Sequence, residues 1–340
     1  MPVPLSVLDI APIPSGSTGS ETLRRVLDLA RLADRLGYVR YWFAEHHSMP
    51  AIASSSPEVL IAHVASATER MRVGSGGIML PNHVPLRVAE TFHTLEALYP
   101  GRIDLGIGRA PGTDPLASRA LRAFDAEQFP NELAELKAFS SQSFPDDHPF
   151  HKVRVVPGDV TLPPIWLLGS SGASARLAGR AGMGYGFASH FSPSPAGPPL
   201  QTYRESFEPS ERFPRPHAIL AVSVVCAETD EHARYLAASM DLMWVQLRTG
   251  RLGPLPSPEE ALAYPYAPQE RAVVEQSRAL SIVGSPETVR QQVEALVAAT
   301  GADEVMVTTN VHDPDERLRS YALLAEVFEM DRVAEVASEG

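Results

Sequence analysis

The sequence predicts one α/β domain over residues 1–340, a (β/α)8 TIM barrel with insertions after strands 4, 6 and 7. Three observations carry this reading. Eight short apolar runs recur along the chain, each followed by a stretch of helical spacing, and no region is dominated by hairpins. Residues of special chemistry follow strand after strand, as they do at the carboxyl face of a barrel. The first strand-to-helix turn, residues 11–20, lacks the G-x-G-x-x-G that an open dinucleotide-binding sheet would carry there, which disfavours the doubly wound alternative.

Composition narrows the function classes. A chain of 340 residues that is 44% hydrophobic and 21% charged can bury a large core as one barrel. The net charge of −12 and the absence of any Lys/Arg-rich run argue against nucleic acid as a partner. No stretch approaches the roughly 18–20 apolar residues that span a bilayer. The first residues lack the basic and apolar regions of a signal peptide, so a cytoplasmic protein without membrane contact is expected. Cys226 is the sole cysteine, which excludes an internal disulfide; within the apolar run 218–227 it reads as a buried structural thiol.

The elements follow in order. Residues 3–10 form strand one. Ser20 and Glu21 open a helix that ends before Gly37, a glycine suited to the left-handed position after a helix. Strand two is 39–44, and Ser56-Pro57 starts the next helix in the Ncap–N1 arrangement. Strand three is 71–79, a helix occupies 85–98, and strand four is 102–108. Residues 115–141 are mostly helical, and 142–163 read as a small hairpin excursion. Strand five is 165–168, with a helix to Ala181, and strand six is 185–188. A short helix near 198–208 sits in a proline-rich segment. Strand seven is 218–226, a helix covers about 230–247, and residues 248–268, with five prolines, read as a mobile insertion. Helices at 270–280 and 286–299, strand eight at 304–308 and a helix at 313–329 complete the chain.

The strand ends hold the candidate chemistry. Gly169, Ser170, Ser171, Gly172 and Ser174 open a helix whose free amides and dipole favour an anion, with serine hydroxyls as added donors; a capped, solvated turn is the plain alternative. Arg109, reached through Gly106 and Gly108, suits bidentate binding of phosphate, or else a structural ion pair. Strands four and five would be neighbours, so one phosphate could meet both. Glu45-His46-His47 permits acid–base chemistry or a structural role. Metal ligation is disfavoured, because adjacent residues on a strand point to opposite faces. Ser75-Gly76-Gly77 allows a flat ligand to press on bare backbone, or is a simple bulge.

With these residues in hand, the chain resembles the bacterial luciferase-like flavin monooxygenases, through YWFAEHH (41–47), RVGSGGIMLPNHVPLRVAE (72–90), LEALYPGRIDLGIGRAPG (95–112), LGSSGASARLA (168–178) and SPETVRQQVEAL (285–296). The resemblance implies a barrel that binds FMN at its carboxyl face, commonly as a homodimer. It implies that Gly76–Gly77 is a non-proline cis peptide against the flavin ring, and that Arg109 with Gly169, Ser170, Ser171 and Ser174 holds the phosphate. His46 is implied as the catalytic base, and residues 248–268 as a mobile active-site loop. Reduced FMN from a separate flavin reductase would then act with dioxygen on a small-molecule substrate, and no metal is required. F420-dependent hydride transfer and flavin binding without turnover remain as alternatives. Gly108 stands where the luciferases have a reactive cysteine, and Ser170 where the light-emitting subunit has an acid, so light emission is not implied.

Overall fold

The computed structural model describes residues 3–122 and 125–330. Its nine strands are β1 (Leu5–Asp9), β2 (Arg40–Phe43), β3 (Arg72–Met79), β4 (Ile103–Gly108), β5 (Ile165–Gly169), β6 (Gly184–Ala188), β7 (Ala218–Cys226), β8 (Ser281–Gly284) and β9 (Glu304–Thr308). Every pairing between them is parallel. Eight close into the expected (β/α)8 barrel: β1 to β6 run in sequence order, β6 meets β7, β7 meets β9, and β9 returns to β1.

The ninth strand corrects the sequence reading, which placed none between the helices at 270–280 and 286–299. β8 extends the second half of β7, from Ser223↔Ser281 to Cys226↔Gly284, where β7 has run past its pairing with β9. Four residues, SIVG, are too few to carry a periodicity of their own. A second correction concerns residues 142–163, which contain no strand. The alternation in HKVRVV imitates one, but prolines at 145, 149, 157, 163 and 164 remove the ladder donors. The segment instead packs Phe144 and Phe150 against Phe139, with ring centroids 4.8 and 5.6 Å apart.

The helices are α1 (Gly19–Arg35), α2 (Pro57–Ala65), α3 (Pro85–Leu98), α4 (Pro115–Leu121), α5 (Phe129–Ser141) and α6 (Gly172–Arg180). They continue with α7 (Gly197–Glu205), α8 (Asp230–Thr249), α9 (Pro258–Ala263), α10 (Pro268–Arg278), α11 (Pro286–Thr300) and α12 (Pro314–Val327). Seven of them begin on proline, whose fixed φ and missing N–H suit the first helical position. That placement reconciles a proline-rich sequence with a helical shell. α1 starts two residues earlier than expected: Thr18 is its N-cap, in a reciprocal capping box with Glu21. Among the described residues, no helix is long and apolar enough to cross a membrane.

Strand alternation sorts the side chains. Leu5, Val7, Tyr41 and Phe43 point outward into the main core beneath the helices. Leu8, Trp42, Trp166, Ile219 and Met306 point into the lumen. The amino end of the lumen is closed by a buried ionic cluster. Arg40 Nε donates to Glu304 Oε1 at 2.7 Å and Arg40 Nη1 to Asp104 Oδ2 at 2.8 Å, while Arg72 Nε donates to Asp104 Oδ1 at 2.8 Å. Trp42 Nε1 adds a bond of 3.1 Å to Asp104, and the Arg40 guanidinium lies 4.6 Å from the Trp166 ring centroid. Burial alone would raise the Glu304 carboxyl. Arg40, His217 and Ser6 outweigh it and hold the group at about 2.

Candidate active site

Above that floor, the lumen positions turn small. Ala44, Gly76, Gly108, Gly186, Ala188 and Ala221 take the inward places near the carboxyl ends of their strands, and a cavity of about 940 Å³ opens there. Gly76 is needed at its place: a Cβ would lie 2.7 Å from Leu8 Cδ1 and 3.1 Å from Trp42 Cβ. The peptide bond between Gly76 and Gly77 is cis, and the β3–β4 register shifts between Ser75 and Ile78. Gly77 does not line the cavity. It faces β4 and β5, where a Cβ would stand 2.6 Å from Leu168 Cδ1 and 2.8 Å from the Gly106 carbonyl oxygen.

The other sequence-derived candidates converge on this cavity. His46, Arg109, Gly169, Ser170, Ser171 and Ser174 all line it. β4 and β5 pair through Ile107↔Leu167, which sets Arg109 beside the end of β5 and the start of α6. Arg109 is exposed, and no ion pair or hydrogen bond engages its guanidinium among the described residues. Ser171 caps α6, leaving the amides of Gly172 and Ala173 ahead of the first intrahelical bond. Ser174 Oγ donates to the Ser171 carbonyl at 2.9 Å and lies 3.1 Å from the Tyr185 hydroxyl, which in turn donates to the Ser171 carbonyl at 3.2 Å. Gly169 makes room for this turn, since a Cβ there would meet Ser174 Oγ at 2.2 Å. A free guanidinium beside exposed helix amides and hydroxyls suits a phosphate dianion.

The Glu45-His46-His47 triplet divides as strand alternation requires. His46 faces the cavity, its Nδ1 buried without a partner. Burial lowers its pKa to about 4, against a smaller opposing effect of Glu45, so the imidazole is neutral at physiological pH. Glu45 points the other way and is fully buried. It accepts from His47 Nε2 at 2.8 Å, the Met79 amide at 2.8 Å, Asn82 Nδ2 at 3.1 Å and His83 Nε2 at 2.9 Å. These bonds overcome its burial and hold it at about 2. Glu45 thus ties the ends of β2 and β3 together and fixes the backbone that presents His46.

The sequence pattern of the luciferase-like monooxygenases matches residues 4–304. The chain belongs to that family. Its luciferase-like relatives include the uncharacterized protein YvbT of Bacillus subtilis (strain 168), 46% identical over 95% of this chain and 96% of that one. The N-acetyl-S-alkylcysteine monooxygenase of the same organism is 35% identical over 95% and 97%. The crystal structure of apo-MsnO8 superposes with a TM-score of 0.88 at 42% identity, covering 97% of this chain and 99% of the other. The fold alone extends to the oxygenating constituent of 3,6-diketocamphane monooxygenase from Pseudomonas putida in complex with FMN, with a TM-score of 0.69 at 20% identity over 95% or more of both chains. It extends likewise to an F420-dependent secondary alcohol dehydrogenase, with a TM-score of 0.66 at 14% identity.

In this luciferase-like site, His190 and Asn310 also line the cavity; the sequence puts both on the functional face at strand ends but gives neither a role. His190 Nδ1 is buried without a partner, and burial, reinforced by nearby His46, lowers its pKa to about 4 against the pull of the Ala221 carbonyl. Asn310 Oδ1 is likewise buried and unpartnered. Both stand just beyond strand ends, β6 and β9, and that position was the available signal.

Proposed function

We propose that this protein is a flavin-dependent monooxygenase that uses reduced FMN, supplied by a separate reductase, and dioxygen to oxygenate a small organic substrate. The observation that carries the reading is one cavity that joins a bare-glycine wall, two neutral imidazoles with unpartnered Nδ1 atoms and, beside a helix start, an arginine unpaired among the described residues. The donor set fits the cofactor: Arg109, the α6 amides and the serines would hold its phosphate, and the Gly76 backbone would face its ring. When bound, reduced flavin supplies the electrons that let dioxygen deliver one oxygen atom to substrate.

The chain's own residues do the rest. Arg109 and α6 anchor and orient. The apolar walls keep water from the reacting atoms. His46, unprotonated at neutral pH, accepts a proton at Nδ1 and returns it. The FMN complex of the distant camphane enzyme and the monooxygenase activity named for the Bacillus relative support the choice of flavin and reaction.

The test begins with titration of oxidised FMN, read by its absorption spectrum, and of F420 in parallel. Saturable FMN binding, followed by incorporation of labelled dioxygen into a product when reduced FMN is added, is expected. Binding of F420 in place of FMN would replace oxygenation with hydride transfer. FMN binding with no oxygen uptake on any substrate would leave only a flavin carrier.

A further inference from the structure

α8 runs along the open side of the cavity. Met240, Met243, Trp244 and Leu247, spaced i, i+3, i+4 and i+7, form one stripe that lines it. The other faces of α8 are occupied. Ala233 and Leu236 pack with Val225 of β7, and Ala238 and Leu242 pack with Ala261 of α9. The stripe residues belong to none of the hydrophobic clusters of the described residues. Phe191, after β6, and Leu252, after α8, continue the same wall and are 52% and 44% exposed. This is an apolar surface left only partly covered by the described residues, and it is continuous with the site.

Charge is scarce on these walls. Arg109 and the exposed Glu127 are the only Lys, Arg, Asp or Glu side chains among the described lining residues. His46 and His190 are held neutral by burial. The amide oxygen of Gln246, also on the wall, is buried without a partner.

We infer that the α8 wall, with Phe191 and Leu252, is the binding surface for the organic substrate, and that this substrate is an uncharged, largely apolar molecule with one O–H or N–H donor for Gln246. The inference rests on the flavin reading only in committing Arg109 to the cofactor phosphate. With that cation engaged, a substrate carboxylate would enter a buried apolar space with no counter-ion, a costly transfer. An apolar body loses water-exposed surface against six apolar side chains at no such cost.

Trp244 supplies the assay. Trp166 lies off the cavity and Trp42, 1% exposed, lines its floor, so the part of an emission change that is lost in Trp244→Phe reports a ligand on the α8 wall. Octanol and octanoate share a skeleton and differ in charge at about pH 8. With FMN saturating, so that Arg109 is engaged, octanol should perturb the emission saturably, and octanoate should bind about tenfold more weakly or worse. Gln246→Leu should weaken octanol severalfold. Leu247→Lys, at a position 37% exposed and so tolerant of the change, should bring octanoate to parity with octanol.

Equal affinity of octanol and octanoate for the unaltered protein overturns the inference. So does an octanoate affinity that disappears in Arg109→Ala, which would make that arginine a substrate ligand. FMN titration of the same protein separates the two readings. FMN binding without octanol binding removes this inference and leaves the flavin reading, whereas a failure of FMN to bind removes the flavin reading and, with Arg109 left free, the argument against a charged substrate as well.

Discussion

Two half-buried imidazoles whose Nδ1 atoms are sealed from solvent should make this protein lose stability well above the pH range of carboxylates. His46 and His190 sit at about 4 in the folded chain, against an ordinary value of 6.5. The folded values lie below the unfolded ones, so the unfolded chain takes up protons first as pH falls. Their contribution is therefore fully present above about pH 6.5 and is lost between there and about pH 4. At about pH 5, the unfolded imidazole has been protonated for some 1.5 units while the folded one has barely begun, which amounts to roughly 2 kcal/mol per histidine. Neither folded ring carries a charge at that pH, so the two effects add to on the order of 4 kcal/mol. Urea denaturation at about pH 8 and pH 5, on the unaltered protein and on His46→Asn/His190→Asn, isolates this quantity. Glu45 and Glu304, at about 2, act in a lower window and are common to both proteins. His83, whose pKa is raised because its bonds to Glu45 outweigh burial, works in the opposite direction and is also shared. The unaltered protein should lose about 4 kcal/mol more than the variant between the two conditions. Identical losses would refute the claim that the cavity holds these rings neutral.

Three further outcomes follow from the same geometry. Arg109→Ala should weaken FMN by about tenfold to a hundredfold, the worth of a charge-assisted bond; thermal unfolding should not move, because the exposed guanidinium has no protein partner among the described residues. Gly169→Ala drives a methyl to within 2.2 Å of Ser174 Oγ and should cost about 1–3 kcal/mol in chemical denaturation while loosening FMN in a spectral titration. Glu304→Gln strips the buried Arg40 of a carboxylate bonded at 2.7 and 2.9 Å and should cost about 3–5 kcal/mol by urea denaturation.

The barrel was legible because its signals are local. Apolar runs give the eight barrel strands, and prolines after Ser56 and Ser285 mark helix starts that the structure retains. The spacing Thr18-x-x-Glu21 was equally readable, and it outranks Ser20 because only a cap three residues ahead of the glutamate completes both bonds of the box. β8 was not legible. Its four residues become a strand only because β7 outruns its neighbours and leaves edge groups to pair. His190 shows the same limit in chemistry. Its position after β6 was visible, but its neutrality arises from burial and from His46 on β2's side of the barrel, contacts that sequence distance hides. The helix bearing Met240 and Trp244 was found, yet which of its faces meets a cavity depends on β7 and α9 occupying the others.

The division of the lumen into floor and mouth ties these observations to chemistry. Inward positions are set by strand alternation, so side-chain size along each strand determines where space is left. β2 runs Arg40, Trp42, Ala44 on its inward face, β5 offers Trp166 low, and β9 begins with Glu304. Large and charged groups therefore fill the amino end, where their ion pairs and stacked rings leave no room. β4 carries inward glycines at Gly106 and Gly108, β6 at Gly184 and Gly186 below Ala188, and β3 at Gly74 and Gly76. Some of these glycines answer to packing rather than to a ligand: a Cβ on Gly74 would strike the Asp104 carbonyl oxygen at 2.5 Å, and one on Gly184 would strike the Trp166 ring at 2.3 Å. Lower glycines thus admit the bulky floor, and upper ones open the cavity above it. The same residue type performs both tasks, and height along the strand decides which. A rigid floor beneath a bare-walled mouth brings His46, His190 and Arg109 to one space with both Nδ1 atoms and the guanidinium unpaired among the described residues, which is the condition for their acting on a ligand.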